Sequence, residues 1–443
     1  MARTLVPIPY RDPAAAFAPF KDVPLALFLH GDGRGPAGRW SFIAPSPAEA
    51  LIVDEPMPKE ALLAAIRGRL APRATCEGPP LQAGVAGFFA YEAGGLLEAA
   101  APQRRPDGAP FAALARHDTV AAYDHQTREA FISAPDLGAA TDLAAMLSQD
   151  ASAPHPGGGD AAPEPPDRYL GQVEAVRAAI RRGDVFQANV SRLFAGSLGD
   201  GDHPYDLFTR LVASSPAPFS AYLRLPDAAI VSNSPERCVS VRPDAEGRLQ
   251  ALTAPIKGTR PRGASAADDA RQIAALLASE KERAENLMIV DLMRNDLGRA
   301  CAVGSVRVPT LFAVETFANV HHLVSTVCGR VAPDKDAVDL FAAIFPAGSI
   351  TGAPKIAAMQ LIDALEDAAR GASYGGIGWF GDDGAMDLNV TIRTAICTRE
   401  GSDWRVAFRA GGGITIDSAP EEELAETEAK AQRLLAAIRG DRP

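Results

Sequence analysis

The feature that most limits what this chain can fold into is a strand-and-helix rhythm that never becomes regular. Stretches such as "VFQANVSRLFAG", "FSAYLRLPDAAIVSNS", "MDLNVTIRTAICTR" and "WRVAFRAGGGITI" alternate as half-buried strands do. Between them stand strongly helical stretches. "DRYLGQVEAVRAAIRRGD" carries Leu170, Val173, Val176 and Ile180 at helical spacing, with Gly183 as its stop. "ADDARQIAALLASEKERAENLMIVDLMRNDLG" reads as one or two helices, and "EEELAETEAKAQRLLAAIRG" as a helix ending at Gly440. A parallel sheet needs a crossover helix after each strand, and that order is absent. The expected class is therefore α+β, with large, mostly antiparallel sheets packed with helices. Residues 151–167, rich in Pro, Gly, Ala and Asp, read as a linker or surface loop. They divide an N-terminal region, 1–150, from a second portion, 168–440. In the first region "ALFLHGD", "RWSFIA", "AGVAGFFAYEAG" and "REAFISA" read as strands or strand-to-turn junctions.

A net charge of −11 argues against a general nucleic-acid or anionic-membrane binder, but leaves room for a local basic pocket that takes a small anion. Five cysteines, at 76, 238, 301, 328 and 397, show neither CxxC spacing nor an even count, so no zinc site or disulfide framework is expected. The start of the chain has no long apolar core, and no run of about 18 apolar residues occurs anywhere. A soluble, cytoplasmic protein is expected.

Several constellations could carry chemistry, and each has a plainer reading. Glu282 and Glu285 share a helix face, as do Glu423, Glu426 and Lys430. Either set could be a solvated face. Together they could clamp a hard cation such as Mg2+, which takes few carboxylates, several waters and a substrate oxyanion. The loops "AGGGIT" at 410–415 and "PAGSITGAPK" at 346–355 could be ordinary turns, or could present backbone N–H groups to a carboxylate. His321 and His322 are adjacent, so in a strand only one can reach a given pocket. Glu236, in "NSPERC", and Lys257, in "APIKGTRPR", would form an acid/base and nucleophile pair if buried in one cleft. As isolated residues they would be a turn and a surface charge.

These stretches also occur together in an order that resembles the chorismate-utilising enzymes, a family that includes anthranilate, aminodeoxychorismate, isochorismate and salicylate synthases. The matching pieces are "GDVFQANVSR", "NSPERC", "APIKGTRPR", "RAENLMIVDLMRNDLGR", "VHHLVST", "FPAGSITGAPK", "YGGIGW", "TIRTAI", "AGGGIT" and "APEEELAETEAKA". They span about 181–431, and "GRWSFIA" and "AGFFAYEAGGLLE" extend the likeness into the first region. The resemblance implies an anthranilate synthase component I-like fold with chorismate as substrate. Anthranilate synthases tend to carry alanine where this chain has Lys257, whereas "PIKGT" is similar to the branch that aminates chorismate at C4. Members that add water carry a lysine where this chain has Gln187.

The resemblance thus implies an Mg2+-dependent aminodeoxychorismate synthase activity giving 4-amino-4-deoxychorismate, the precursor of 4-aminobenzoate and folate. Anthranilate synthesis is the alternative, and a non-catalytic binding protein a remote one. Lys257 would be the nucleophile and Glu236 the acid and base. Glu285 and Glu426 would hold the metal, with Glu282 and Glu423 as outer carboxylates. Arg393, Tyr374 and the backbone at Gly411 would bind the enolpyruvyl carboxylate, Thr351 and Gly413 would lie near the ring carboxylate, Lys430 at the metal end, and His322 beside the ring. No cysteine stands in a Gly-x-Cys-x-Gly setting, so ammonia is expected from a separate glutamine amidotransferase subunit. "LFLHGD" replaces the segment that some relatives use to bind tryptophan, so no inhibition by tryptophan is expected.

Overall fold

The computed structural model describes residues 3–71, 77–316 and 320–441; Cys76 lies outside them. Two large antiparallel sheets, of twelve and ten strands, carry the architecture. Their inner strands are buried on both sides, and successive residues serve different layers. Leu27 faces the core between the sheets and Phe28 the opposite side; Phe88 and Phe89 divide likewise, as do Ala113 and Leu114. The period-two alternation of strand side chains thus builds two cores at once. It also explains near-continuous apolar runs such as "GVAGFF" in an antiparallel sheet. Outside the twelve-stranded sheet lie helices Leu137–Leu147, Pro204–Ser214 and Pro420–Arg439. Outside the ten-stranded sheet lie Lys59–Arg67, Glu280–Gly298 and Ala337–Ile344. Phe89 and Phe341, with ring centroids 4.3 Å apart, fasten the last of these to its sheet. Truncating either ring to alanine would cost about 3–5 kcal/mol.

The helical expectations fall on helices Pro166–Arg182 and Pro420–Arg439. Each is stopped by a glycine in the left-handed conformation, Gly183 at φ 83° and Gly440 at φ 79°. The stretch 266–298 forms two helices, Ala266–Ala278 and Glu280–Gly298, with the Ser279 side chain accepting from Glu282 N at the start of the second.

Both sheets mix strands from the two sides of residues 151–167. Leu27–His30 pairs with Phe219–Arg224, and Gly84–Phe89 pairs with Gly376–Gly381. The segment between is itself anchored. Asp160–Pro163 forms a strand against Gln187–Ser197, and Gly159 N donates to Ile438 O at 3.1 Å.

Candidate active site

Six pieces of chain converge at the candidate site. These are the start of strand Gln187–Ser197, the segment around Glu236, strand Ile256–Pro261, strand Asp403–Ile414 and the two acidic helices, Glu280–Gly298 and Pro420–Arg439. Glycine makes the convergence possible. A Cβ on Gly413 would lie 2.0 Å from Gln187 Nε2 and 3.2 Å from Lys257 Nζ. Gly258, at φ 83°, lets helix Glu280–Gly298 approach the lysine strand: a Cβ there would lie 3.0 Å from Glu282 Oε2.

Lys257 is half-buried and faces carboxylates from three elements, Glu236, Glu285 and Glu426. Glu236 is buried, and burial pushes its carboxyl above the ordinary range. A hydrogen bond with Ser349 and the charges of Lys257 and Lys430 pull the other way. Gln187 is wholly buried, and neither its Oε1 nor its Nε2 has a hydrogen-bond partner among the described residues. An unpaired buried amide costs about 1–3 kcal/mol.

The two acidic helices face each other. Burial raises the Glu285 carboxyl, and Glu426 and Glu282 raise it further. Burial also raises Glu423, which accepts from Ser418 Oγ at 2.7 Å. Burial raises Glu426 too, but Lys430, Lys257 and Lys281 outweigh it and hold that carboxyl below the ordinary range. Two of the carboxylates have cationic partners. Glu282 Oε1 meets Arg260 at 2.5 Å, and Glu426 meets Lys430 at 2.7 Å. Among the described residues no three His, Cys, Asp or Glu side chains form a metal cluster. The donor set nonetheless fits Mg2+, a hard cation usually held by one or two carboxylates plus water and substrate oxygens. Among the described residues Glu282 Oε2 is buried without a hydrogen-bond partner and Glu285 makes no ion pair.

The expected carboxylate binders are arranged unequally. Arg393 has no carboxylate partner among the described residues, and desolvation, with Arg433 nearby, depresses its pKa. Tyr374 is buried, lies 4.7 Å from the Arg370 guanidinium, hydrogen-bonds with Ser191, and has its pKa pushed up to about 12 by burial. Both residues hold positive φ, 52° and 67°. Such backbone costs of order 1–3 kcal/mol for a non-glycine residue and clusters at functional sites. Thr351 is fully buried, but its hydroxyl donates to Ala347 O at 3.1 Å, within its own loop. Lys430 donates to Gly411 O at 2.7 Å. His322 pairs with Thr259 Oγ1 at 2.9 Å, and burial lowers its pKa to about 4, so it is neutral near pH 7. His321 turns instead to Thr316 and to Asp269.

The arrangement brings together a buried acid, an amine, a guanidinium with no carboxylate partner among the described residues, and paired carboxylates, which suits a small dianion and a divalent cation. The chain matches the family described as chorismate binding enzyme over residues 33–436. This protein belongs to the chorismate-binding enzymes. Among members, the aminodeoxychorismate synthase component 1 of Salmonella typhimurium is 38% identical over 98% of this chain and 98% of its own length. That of Bacillus subtilis is 37% identical over 82% of this chain and 78% of its own. The crystal structure of anthranilate synthase component I from Streptococcus pneumoniae superposes with a TM-score of 0.78 at 29% identity, covering 92% of this chain and 98% of that one. The α+β class and the antiparallel sheets agree with that likeness.

Three residues at this candidate site were not singled out by sequence. Ser349 touches the Glu236 carboxyl, and Glu366 and Arg370 lie behind Tyr374. Ser349 lies inside a motif noted only for its backbone, and the other two sit at and just beyond the end of helix Lys355–Leu365. No local signal marks them; only the fold brings them to the site.

Proposed function

We propose that this protein is the chorismate-aminating component of an aminodeoxychorismate synthase, converting chorismate and ammonia to 4-amino-4-deoxychorismate. The observation that carries the reading is Lys257, placed opposite a buried, raised-pKa Glu236. In the reaction the uncharged amine of Lys257 adds to C2 of the ring. Both conjugated ring double bonds shift, to C1=C6 and C4=C5, and the C4 hydroxyl departs as water, taking a proton from Glu236. Ammonia then attacks C4, the bond to Lys257 breaks, and Glu236 recovers a proton. One difficult displacement becomes two easier ones. Gln187 stands where a base for water would be needed; its amide cannot take that proton, which favours ammonia, already a nucleophile. Arg393 and Tyr374 would hold the enolpyruvyl carboxylate, for which a guanidinium fork is suited, with Gly411, Gly413, Thr351 and His322 shaping the rest of the cavity.

Glu285 and Glu426 would hold Mg2+, with Glu282, Glu423 and Lys430 around them. When bound there, Mg2+ would supply Lewis-acid polarisation of the ring carboxylate. Ammonia would come from a separate glutamine amidotransferase subunit. Among the described residues no helix is long and apolar enough to cross a membrane, which agrees with action in the cytoplasm.

The test is mass spectrometry of the product from chorismate, Mg2+ and ammonium, with wild type and Lys257→Ala. The wild type should give 4-amino-4-deoxychorismate and a lysine adduct detectable on the intact protein. Lys257→Ala should lose the adduct and most C4 amination. Anthranilate as the main product, or a wild-type rate in the variant, would sink the reading.

A further inference from the structure

Behind the carboxylate-binding wall lies a charged network that the chemistry above does not use. Glu366, Arg370 and Arg409 have side chains only 2%, 2% and 4% exposed. Glu366 Oε1 accepts from Ser191 N and Ser191 Oγ, each at 2.8 Å, and from Arg370 Nη2 at 2.9 Å. Its Oε2 accepts from Arg370 Nε at 2.9 Å and lies 3.6 Å from Arg409 Nη1. Arg370 is sandwiched between Tyr91 and Tyr374, at 4.5 and 4.7 Å. Its two outer nitrogens then leave the network: Nη1 donates to Ile350 O at 3.0 Å, and Nη2 to Asn189 O at 2.5 Å.

Those two carbonyls decide what the network can do. Ile350 follows Ser349, whose side chain hydrogen-bonds the Glu236 carboxyl. Asn189 lies two residues after Gln187 on the same strand, and its N–H donates to Thr351 O at 2.8 Å. One guanidinium fork therefore ties the turn that steadies the acid to the strand that begins at Gln187. A buried ion pair is weak evidence for stability, since apolar replacements often do as well. A fixed bidentate fork is instead suited to setting geometry.

We infer that Glu366 and Arg370 are positioning residues for the reaction: Glu366 orients Arg370, and Arg370 fixes the Ser349 turn against Glu236 and in register with the Gln187 strand. This rests on the role proposed for Glu236. That carboxyl is also faced by Lys257 from strand Ile256–Pro261 and by Lys430 from the C-terminal helix, with Cys238 close by in the following strand. Neither lysine is held by the fork, so their effect on Glu236 is common to the proteins compared.

The experiment is steady-state kinetics across pH on Glu366→Gln, Arg370→Lys and Ser349→Ala, each with a melting curve. Chorismate turnover needs Glu236 protonated, so the rate falls as pH rises through its pKa. Ser349 favours the ionised carboxylate, and losing that bond moves this limb to higher pH by about half a unit or more, the worth of one hydrogen bond. All three variants should show that displacement, with kcat down roughly 10²-fold and KM for chorismate changed by less than about threefold, because the loss is one of geometry at the reacting end. Ser349→Ala combined with Arg370→Lys should be little worse than either alone. A merely structural network would lower the melting temperature and leave the limb and kcat of the folded fraction unaltered, and that result overturns the inference. Glu366→Gln strands two buried cations and can fail to fold; Arg370→Lys keeps the charge and then decides the matter. The wild-type product is read first: absence of C4 amination counts against the proposed function, whereas an unmoved limb in a C4-aminating enzyme counts against this inference alone.

Discussion

Replacing Gly413 by alanine tests the geometry of the site with a single methyl group. The new Cβ would stand 2.0 Å from Gln187 Nε2, 2.9 Å from Gln187 Cδ and 3.2 Å from Lys257 Nζ. Ordinary heavy-atom contact is about 3.5 Å or more, so the amide must retreat by about 1.5 Å and the amine by a few tenths. Gln187 is fully buried, and its retreat overpacks its surroundings at a cost of about 1–3 kcal/mol. A displacement near 1 Å at a reacting centre is worth about 10²-fold in rate, or about 2.7 kcal/mol of barrier. Gly413→Ala should therefore melt a few degrees lower and lose about 10²-fold in kcat for chorismate amination. Adding Gln187→Ala to the same chain removes the clash and should recover most of the lost stability, a non-additive pair. Wild-type kcat in Gly413→Ala, or additive melting losses in the double variant, would refute the placement of Gln187 and Lys257 on either side of this glycine.

Arg393→Ala should raise KM for chorismate by about 10- to 100-fold, while stability stays level or improves, because the variant removes a desolvated guanidinium without a carboxylate partner; an unchanged KM with a large fall in melting temperature would show that the arginine serves the fold. Glu285→Gln should raise the Mg2+ concentration needed for half-maximal rate, since one ligand charge is lost, and an identical Mg2+ titration would show that another carboxylate holds the ion. Glu92 is buried, and its carboxyl is pushed up to about 7 by desolvation, against donors from Arg370 N and Gly371 N. Its folded pKa is raised, so its contribution to stability is complete below the ordinary carboxyl range and is lost as pH rises through about 7. That is roughly 3 kcal/mol in all. Denaturant unfolding at about pH 5 and pH 8 should show a loss in wild type that is smaller by that order in Glu92→Gln, and equal losses would show that Glu92 does not hold a proton in the folded protein.

Much of the fold could be read locally because its signals are local. The helical spacing of Val173 and Val176 and the stops at Gly183 and Gly440 need no knowledge of the rest of the chain. Strand partners could not be read. Leu27–His30 lies beside Phe219–Arg224 because of packing between segments nearly two hundred residues apart, and alternation records only which residues are buried. The strand at Asp160–Pro163 was invisible for a simpler reason: "DAAP" has one buried side chain and no pattern. At the site, residues with titratable or turn-forming character announced themselves, Lys257, Glu236 and Gly413 among them. Glu366 did not, since an acid at a helix end is ordinary until the fold closes over it. Thr351 was legible as part of the right loop, but its hydroxyl is spent on that loop's own backbone.

The sharing of strands across residues 151–167 limits how this enzyme can be taken apart. A protease or an engineer cutting there would release two fragments, each with an open edge where the Leu27–His30 and Phe219–Arg224 ladder, or the Gly84–Phe89 and Gly376–Gly381 ladder, used to close. Raw edges of that kind invite aggregation. The halves are thus not exchangeable cassettes: a chimaera that swaps one for a relative's must match two seams at once, and a split-reporter design would work only if the fragments were made together and allowed to zip.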